Sequence, residues 1–341
     1  MAHPAHTKEG SSNVTRSLRL ILAALAALVL ALAAGACGDD GDDNGSGGGG
    51  GDTPSGKLIE RDPANAAKSF TVGSKNFAEQ YILGQIYGQA LEAAGFKVKK
   101  SLDIGAEQDA FKALKAGEID GYPEYTGTSL TSFFGVKIKD VPKAPQAAYE
   151  LARKEYVKED ITALPPTSFE NTYVFSTTKA KQKDLLKGAT TLSEVAKLPN
   201  ADDLRLAAFP ECRQRVDCGV GLKQIYGLSP KFIATTAKYQ PLDRDQADLN
   251  LGSFGTDGEL TLNKYAVLED DKNLFPPYNV SFGIRNEALK TIGPKGREVL
   301  ERVQKPLTIE AMQELNSRVT IDKQKPAAVA AAYLKEEGFV K

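Results

Sequence analysis

The order of strand-like and helix-like segments constrains this chain more than any other feature of its sequence. Residues 69–73 have the pattern of a short buried strand, and the apolar residues that follow recur at helical spacing up to Leu91. An alternating strand pattern comes next at 96–100, followed by a helix near 109–116 and a strand near 119–122. This β-α-β-α-β order predicts a mainly parallel sheet with helices packed on its faces.

Residues with special backbone preferences predict where several helices begin and end. Asn76 is expected to cap the first helix, because its short side chain can accept a hydrogen bond from a free backbone amide. Gly95 and Gly117 are expected to end the first two helices. Thr191 and Glu194 have the spacing of a capping box, which predicts another helix start.

The alternation of strands and helices repeats in the second half of the chain. Further strands are predicted at 172–177, 204–209 and 265–268, and the C-terminal part is predicted to be helical. The helices expected there cover residues 298–303, 309–319 and 326–338. Two such units predict an α/β protein of two lobes with a ligand cleft between them, because open sheets bind ligands at the carboxyl ends of their strands.

The N-terminal segment predicts the compartment. Two arginines precede an apolar run of fifteen residues from Leu20 to Ala34, which is shorter than the ~20 residues of a membrane span. The run predicts a signal peptide over residues 1–36, and the small residues before Cys37 resemble a bacterial lipobox in which that cysteine is lipidated. An uncleaved N-terminal anchor is the alternative. Both interpretations place the remaining chain at the extracytoplasmic face of the membrane, and the first makes it lipid-anchored.

A linker and two lobes are predicted to follow the signal peptide. After Cys37, residues up to 56 are Gly, Asp, Ser, Asn, Thr and Pro, a composition typical of a flexible tether. The segment 37–56 is therefore assigned to the lipidated cysteine and its linker. Residues 57–171 and 272–341 are assigned to lobe 1, and residues 172–271 are assigned to lobe 2.

Composition argues against several classes of function. The formal net charge is −1, so no basic field indicates binding to nucleic acid. Both histidines, His3 and His6, lie in the predicted signal peptide, which disfavours histidine-based catalysis and histidine-ligated metals. The chain is therefore predicted not to be an enzyme and to need neither a metal nor another cofactor.

Cys212 and Cys218 are the two remaining cysteines. In an oxidising compartment, a pair this close in sequence most simply forms a local disulfide. A zinc site is the alternative, but it would need more ligands than this neighbourhood offers.

Several short motifs along the chain together resemble those of one family. They are Gly-Ser-Lys-Asn-Phe-Ala-Glu-Gln at 73–80, Gly-Glu-Ile-Asp-Gly-Tyr-Pro-Glu-Tyr-Thr-Gly-Thr at 117–128, Phe-Gly-Thr-Asp-Gly at 254–258, Leu-Glu-Asp-Asp-Lys at 268–272 and Phe-Pro-Pro-Tyr-Asn at 275–279. In this order they resemble the substrate-binding proteins of osmoprotectant ABC importers of the glycine betaine, choline and carnitine type. The resemblance implies a two-lobed periplasmic-binding-protein-like fold with two crossover strands. It also implies a small quaternary-ammonium ligand, an ABC permease as membrane partner and a monomeric state.

The resemblance also implies which residues bind the ligand. A trimethylammonium group cannot donate a conventional hydrogen bond, so aromatic faces hold it, each contributing ~0.5–2 kcal/mol. The matching ring positions are Tyr125, Tyr173, Phe254 and Tyr278, and Phe254 stands where the family has tyrosine. Lys75, Thr128 and Arg215 match groups that hold the carboxylate or polar end, with Arg213 in reserve.

Other interpretations of neighbouring residues stay open at this point. Tyr122 is compatible with a core position, and Asp120 and Asp257 are expected to anchor turns. Glu79 is compatible with a cation contact or with a solvated helix face. For the function itself, the alternative ligand is another small polar or cationic metabolite such as an amino acid.

Overall fold

The computed structural model describes residues 58–341. The predicted signal peptide, Cys37 and the linker up to residue 56 lie outside the described residues. Within residues 58–341, no helix combines the length and apolar character that crossing a membrane requires.

Ten strands and six longer helices make up the described part of the chain. The strands are β1 (Ser69–Gly73), β2 (Lys97–Ser101), β3 (Gly121–Tyr125), β4 (Ile161–Ala163), β5 (Tyr173–Thr178), β6 (Arg205–Ala208), β7 (Lys231–Ala234), β8 (Leu249–Phe254), β9 (Tyr265–Leu268) and β10 (Val280–Arg285). The longer helices are α1 (Ala78–Ala93), α2 (Glu107–Ala116), α3 (Pro145–Lys158), α4 (Asn286–Val303), α5 (Ile309–Thr320) and α6 (Pro326–Glu336). Shorter α-helical segments are Thr126–Thr128, Lys179–Asp184, Leu192–Val195, Gly219–Gly221 and Gln240–Asp243.

The strands form two sheets of the same design. The first has the order β2-β1-β3-β10-β4 and the second has the order β7-β6-β8-β5-β9. In each sheet four strands run in one direction, and the fifth, β10 or β5, is antiparallel to both neighbours. The predicted two-lobed α/β fold with a mainly parallel sheet in each half is confirmed.

Both antiparallel strands begin where the chain has just passed from one sheet to the other. Residues 164–172 lead into β5, and residues 269–279 lead into β10. Because these strands run against their neighbours, their amino ends lie at the same sheet edge as the carboxyl ends of the parallel strands. The two crossover strands expected from the resemblance are therefore present. The lobe boundaries at 171/172 and 271/272 remain a prediction.

Each sheet is held by its own apolar core. In the first sheet, Phe70 and Phe282 pack with α1, where the ring of Tyr87 lies 4.6 Å from that of Phe282. Residues from α2 and α3 form a separate cluster that includes Leu114 and Tyr156. The second sheet has a cluster of its own that includes both cysteines, Cys212 and Cys218. Apolar side chains are therefore buried between each sheet and its helices. The ends of the strands lie outside these clusters and stay available for a ligand.

A charged network fastens two strands of the second sheet. Asp248 accepts hydrogen bonds from the backbone amide of Arg205 at 2.9 Å and from its Nε at 3.0 Å, and its other oxygen lies 3.0 Å from Lys181 Nζ. Burial alone would raise the pKa of Asp248, but the hydrogen bonds from Arg205 and Lys181 outweigh it and lower the pKa to about 2. The carboxylate is thus kept ionised at the start of β8.

The helix-end predictions meet different outcomes. Gly95 and Gly117 take the left-handed conformation just after α1 and α2, with φ of 98° and 76°, as predicted. The capping box is confirmed, since Thr191 Oγ1 accepts from the amide of Glu194 at 3.1 Å. The prediction for Asn76 is wrong. Phe77 is the first flanking residue of α1 and no side chain caps this end.

Candidate functional site

A cavity of about 700 Å³ opens at the sheet edges where the two crossing segments pass. Residues at the carboxyl ends of β1, β3 and β8 and at the amino ends of β5 and β10 contribute to its wall. All seven residues predicted to bind ligand line this cavity: Lys75, Tyr125, Thr128, Tyr173, Arg215, Phe254 and Tyr278. The fold thus brings together residues that are up to about 200 positions apart in the sequence.

Two stacked aromatic pairs face the cavity. Tyr173 and Phe254 are directly opposite each other in the β5–β8 register, and their ring centroids are 4.7 Å apart at an interplanar angle of 29°. Phe77 and Tyr125 form the second pair, with centroids 6.2 Å apart at 19°. Tyr278 supplies a fifth ring. One pair belongs to each sheet, so both halves of the molecule contribute aromatic rings to the same cavity wall.

The tyrosine hydroxyls differ in their partners. Tyr125 donates to Glu79 Oε1 at 2.7 Å. Within residues 58–341, the hydroxyls of Tyr173 and Tyr278 form no hydrogen bond, and the Tyr173 ring is supported by Phe209 at 5.7 Å between centroids. Burial raises the pKa of Tyr125, Tyr173 and Tyr278 above the usual value for tyrosine. All three phenols therefore stay neutral near pH 7.

Glu79 is a buried carboxylate on the cavity wall. It is 3% exposed, and Oε1 accepts from Tyr125 and from Asn171 Nδ2 at 3.0 Å. Oε2 accepts from Asn316 Nδ2 at 3.0 Å, and the same amide group also donates to the carbonyl of Thr256 at 2.8 Å. The alternative prediction, that Glu79 lies on a solvated helix face, is therefore wrong. The donors in these contacts are all neutral groups, so none of them offsets the formal charge of the carboxylate.

Lys75 forms a buried ion pair beside the Phe77–Tyr125 pair. Its Nζ is hydrogen-bonded to Glu124, and the two residues are 5% and 1% exposed. The same Nζ lies 4.4 Å from the centroid of the Tyr125 ring, in cation–π geometry. Glu124 also accepts from the amide of Tyr125 at 2.7 Å and from the hydroxyl of Tyr122 at 3.1 Å. The charge of Lys75 is thus balanced within the protein, and Tyr122 is a core residue.

Arg215 carries the second cationic group on the wall, and it too is paired with a buried carboxylate. Its Nε donates to Asp217 Oδ1 at 2.8 Å, and Nη2 donates to Oδ2 of the same side chain. Arg213 does not line the cavity, and its guanidinium lies over the ring of Phe232 at 5.2 Å. The geometry therefore favours Arg215 over Arg213 as the cavity arginine.

Asp257 anchors a turn as predicted, whereas Asp120 contacts residues of two strands, Thr71 and Arg285. Asp257 accepts from the amide of Phe254 at 2.9 Å and from the hydroxyl of Tyr239 at 3.1 Å, and it pairs with Lys238 at 2.7 Å. The Nζ of Lys238 lies 5.1 Å from the Phe254 centroid. Asp120 accepts from the amide of Thr71 at 2.7 Å. Asp257 thus fixes the backbone that carries one cavity ring.

The cavity wall is slightly negative. Three cationic side chains and four carboxylates line it, so their formal sum is −1. The lining cations are Lys75, Arg215 and Lys238, and the carboxylates are Glu79, Glu107, Asp257 and Glu259. In residues 58–341, no three His, Cys, Asp or Glu side chains are arranged to hold a metal ion. The wall can accommodate an organic cation or a zwitterion, and five aromatic rings contribute to it.

Sequence reasoning missed several residues of the wall. Phe77, which the sequence analysis does not single out, stands just before α1 and is 38% exposed at the cavity. Asn171 and Asn316 received no role, although both bind Glu79. The signal available for Phe77 was its place in the Lys-Asn-Phe motif. Asn316 lies on a C-terminal helix whose contact with the cavity has no local sequence signal.

Comparisons with known proteins agree with this geometry. Residues 68–336 match the family model described as the substrate binding domain of ABC-type glycine betaine transport system. A glycine-betaine-binding protein of Pseudomonas aeruginosa is 31% identical over 284 residues, covering 79% of this chain and 88% of that protein. A Helicobacter pylori protein named ergothioneine transport permease/ergothioneine binding protein is 30% identical over 285 residues, covering 81% of this chain and 49% of that protein. A crystal structure described as a glycine betaine/carnitine/choline ABC transporter superposes with a TM-score of 0.71 and 26% identity, covering 78% of this chain and 98% of that one.

Proposed function

The chain belongs to the family of substrate-binding domains of ABC-type glycine betaine transport systems, and we propose that it captures a quaternary-ammonium compatible solute and delivers it to an ABC permease. Glycine betaine and choline are the simplest members of this ligand class. The family consists of solute-binding proteins and not of enzymes. ATP hydrolysis is accordingly assigned to other subunits.

One observation carries the proposal: stacked aromatic pairs from both sheets line a single cavity. A quaternary ammonium is attracted to ring faces by ~0.5–2 kcal/mol for each ring. Several rings are needed to approach the ~8 kcal/mol of micromolar binding, and five line the cavity. Rings on both halves also make the closed form bind better than the open form, which is the condition for ligand-driven closure.

The polar end of a betaine is assigned to Arg215 and Thr128. A guanidinium can hold a carboxylate through two parallel hydrogen bonds, but Asp217 already occupies one edge of Arg215. Lys75 is a weaker candidate, because Glu124 balances its charge. Because Lys75 and Arg215 are each paired with a carboxylate of the protein, a cation without a carboxylate, such as choline, is also a suitable ligand.

The proposed location is the extracytoplasmic face of the membrane, with a lipid on Cys37. The protein is proposed to act as a monomer that presents its closed form to the permease. The alternative ligand is an amino acid or another small cationic metabolite. Ergothioneine belongs in the test, because a relative with 30% identity bears its name and because it is itself a trimethylammonium betaine.

Calorimetry with purified protein tests this function. The panel contains glycine betaine, choline, carnitine, ergothioneine and proline, together with 3,3-dimethylbutanol, a neutral carbon analogue of choline. We expect micromolar binding of at least one quaternary ammonium. The neutral analogue should bind at least tenfold more weakly than choline, since it lacks the charge that ring faces attract. Tighter binding of the amino acid, or equal binding of choline and its neutral analogue, would contradict the proposal.

A further inference from the structure

Arg215 lies inside a loop that the two cysteines close. Cys212 and Cys218 are joined in a disulfide with a sequence separation of 6. The cysteines are 0% and 1% exposed and belong to the apolar core of the second sheet. The loop between them rises from that core to the cavity wall, where Arg215 is found.

The backbone of Arg215 is fastened to both cysteines. Its amide donates to the carbonyl of Cys212 at 3.2 Å, and its carbonyl accepts from the amide of Cys218 at 3.2 Å. The amide of Val220 donates to the same carbonyl at 3.1 Å. The disulfide therefore holds the two residues on which the position of Arg215 depends.

The side chain of Arg215 is also fixed within this loop. Asp217, between Arg215 and the second cysteine, is 3% exposed and accepts two hydrogen bonds from the guanidinium. The loop is tightly packed, since a Cβ added at Gly221 would lie 2.2 Å from the carbonyl oxygen of Val216. The anchoring carboxylate is thus buried under the same crosslinked turn.

We propose that the Cys212–Cys218 disulfide positions Arg215 and thereby raises affinity for carboxylated quaternary ammonium ligands relative to uncarboxylated ones. This inference rests on the proposed function. Ordering a flexible side chain opposes binding, and a crosslink that orders the loop beforehand removes part of that cost. Loss of the disulfide should therefore weaken binding of glycine betaine about two- to tenfold. Choline lacks the carboxylate, so its affinity should change less than twofold.

The test compares glycine betaine with choline by calorimetry on four proteins. They are the parent, the double variant Cys212→Ala/Cys218→Ala, the single variant Arg215→Gln and the triple variant that combines them. The double variant should lose affinity for glycine betaine selectively. The triple variant should bind glycine betaine no more weakly than Arg215→Gln, because the disulfide has no arginine left to position.

Two controls separate positioning from general weakening of the fold. Val195→Ala removes buried side-chain volume from the same core cluster and does not touch the cavity wall, so it should lower the melting temperature without changing the betaine-to-choline affinity ratio. The parent reduced with a phosphine and kept below its melting temperature provides the uncrosslinked protein with every side chain retained. It should show the same selective loss as the double variant, and faster hydrogen exchange at the amides of Arg215 and Cys218.

The possible results are distinguishable. A parent that binds neither ligand overturns the proposed function and this inference with it. A parent that binds both ligands, with an unchanged affinity ratio in the double variant and in the reduced protein, overturns the inference alone. An equal loss for both ligands, or a further loss in the triple variant beyond Arg215→Gln, also overturns the positioning role.

Discussion

Substitution of Tyr173 gives the sharpest test of the aromatic site. In Tyr173→Phe the ring faces remain, and the lost hydroxyl forms no hydrogen bond within residues 58–341. Its affinity for glycine betaine or choline should therefore stay within threefold of the parent. Tyr173→Ala removes the ring itself and should lose ~0.5–2 kcal/mol of binding, which is a fall in affinity of about 2- to 30-fold. Calorimetry at fixed ionic strength measures both variants.

The alanine variant also weakens the fold, and a matched variant separates the two effects. The Tyr173 ring contacts Phe254 and Phe209, and a lost aromatic pair costs about 0.5–1.5 kcal/mol of stability in addition to the loss of burial. Tyr265 packs against Tyr239 in a tilted arrangement, with 4.4 Å between ring centroids, in the same half of the molecule, and it does not line the cavity. Tyr265→Ala should lower the melting temperature and leave ligand affinity unchanged.

Two results would refute the reasoning. If Tyr173→Ala binds as well as the parent, the ring does not contribute to binding. If Tyr173→Phe and Tyr173→Ala lose the same affinity, the hydroxyl and not the ring face is the contact, and the cation–π argument fails.

Three further predictions follow from other parts of the molecule. Tyr125→Phe removes a donor from buried Glu79 and should lower the free energy of unfolding in urea by about 1–3 kcal/mol, more than Tyr173→Phe does. The pKa of Asp248 is lowered to about 2 in the folded state. The ionised side chain therefore adds roughly 2 kcal/mol to the free energy of unfolding above pH ~4, and this contribution is lost as the pH falls through ~2. In Asp248→Asn, the free energy of unfolding measured in urea should fall less between pH 5 and 2 than it does in the parent. An unchanged fall would contradict this prediction. Cys37→Ala should release the protein from the membrane fraction, whereas unchanged association would favour an uncleaved anchor.

The sequence predicts the fold best where local chemistry and tertiary structure agree. Ser69–Gly73 and Tyr265–Leu268 are strands within the predicted bounds, because each is a short apolar run bounded by turn residues. Gly117 ends its helix because the left-handed conformation there costs glycine little. The ligand-binding residues are a different case. The positions of Tyr125, Tyr173 and Tyr278 came from motif resemblance, since no periodicity distinguishes a cavity tyrosine from a core tyrosine.

The missed features depend on contacts between distant segments. Strand β3 is predicted at 119–122 but extends from Gly121 to Tyr125, although Pro123 and Glu124 are poor strand residues. Its pairing with β10 overrides that preference, and β10 lies about 160 positions away. Asn76 is predicted to cap α1, but its backbone N–H donates to the carbonyl of Gly105. The backbone N–H of the preceding residue, Lys75, donates to Gln80 Oε1. These contacts fix the segment before the helix without an asparagine cap.

The contacts of Glu79 connect the two aromatic pairs through helix α5. Glu79 binds the hydroxyl of Tyr125 on one side and Asn316 of α5 on the other. Asn316 also binds the carbonyl of Thr256, two residues after Phe254, and Gln313 of the same helix donates to the carbonyl of Gly255 at 2.7 Å. Helix α5 thus links Tyr125 of the first sheet, through Glu79, to the turn that follows Phe254 of the second sheet. Because a ligand that binds rings of both pairs stabilises their relative position, α5 is the element through which we expect ligand binding to be coupled to lobe closure.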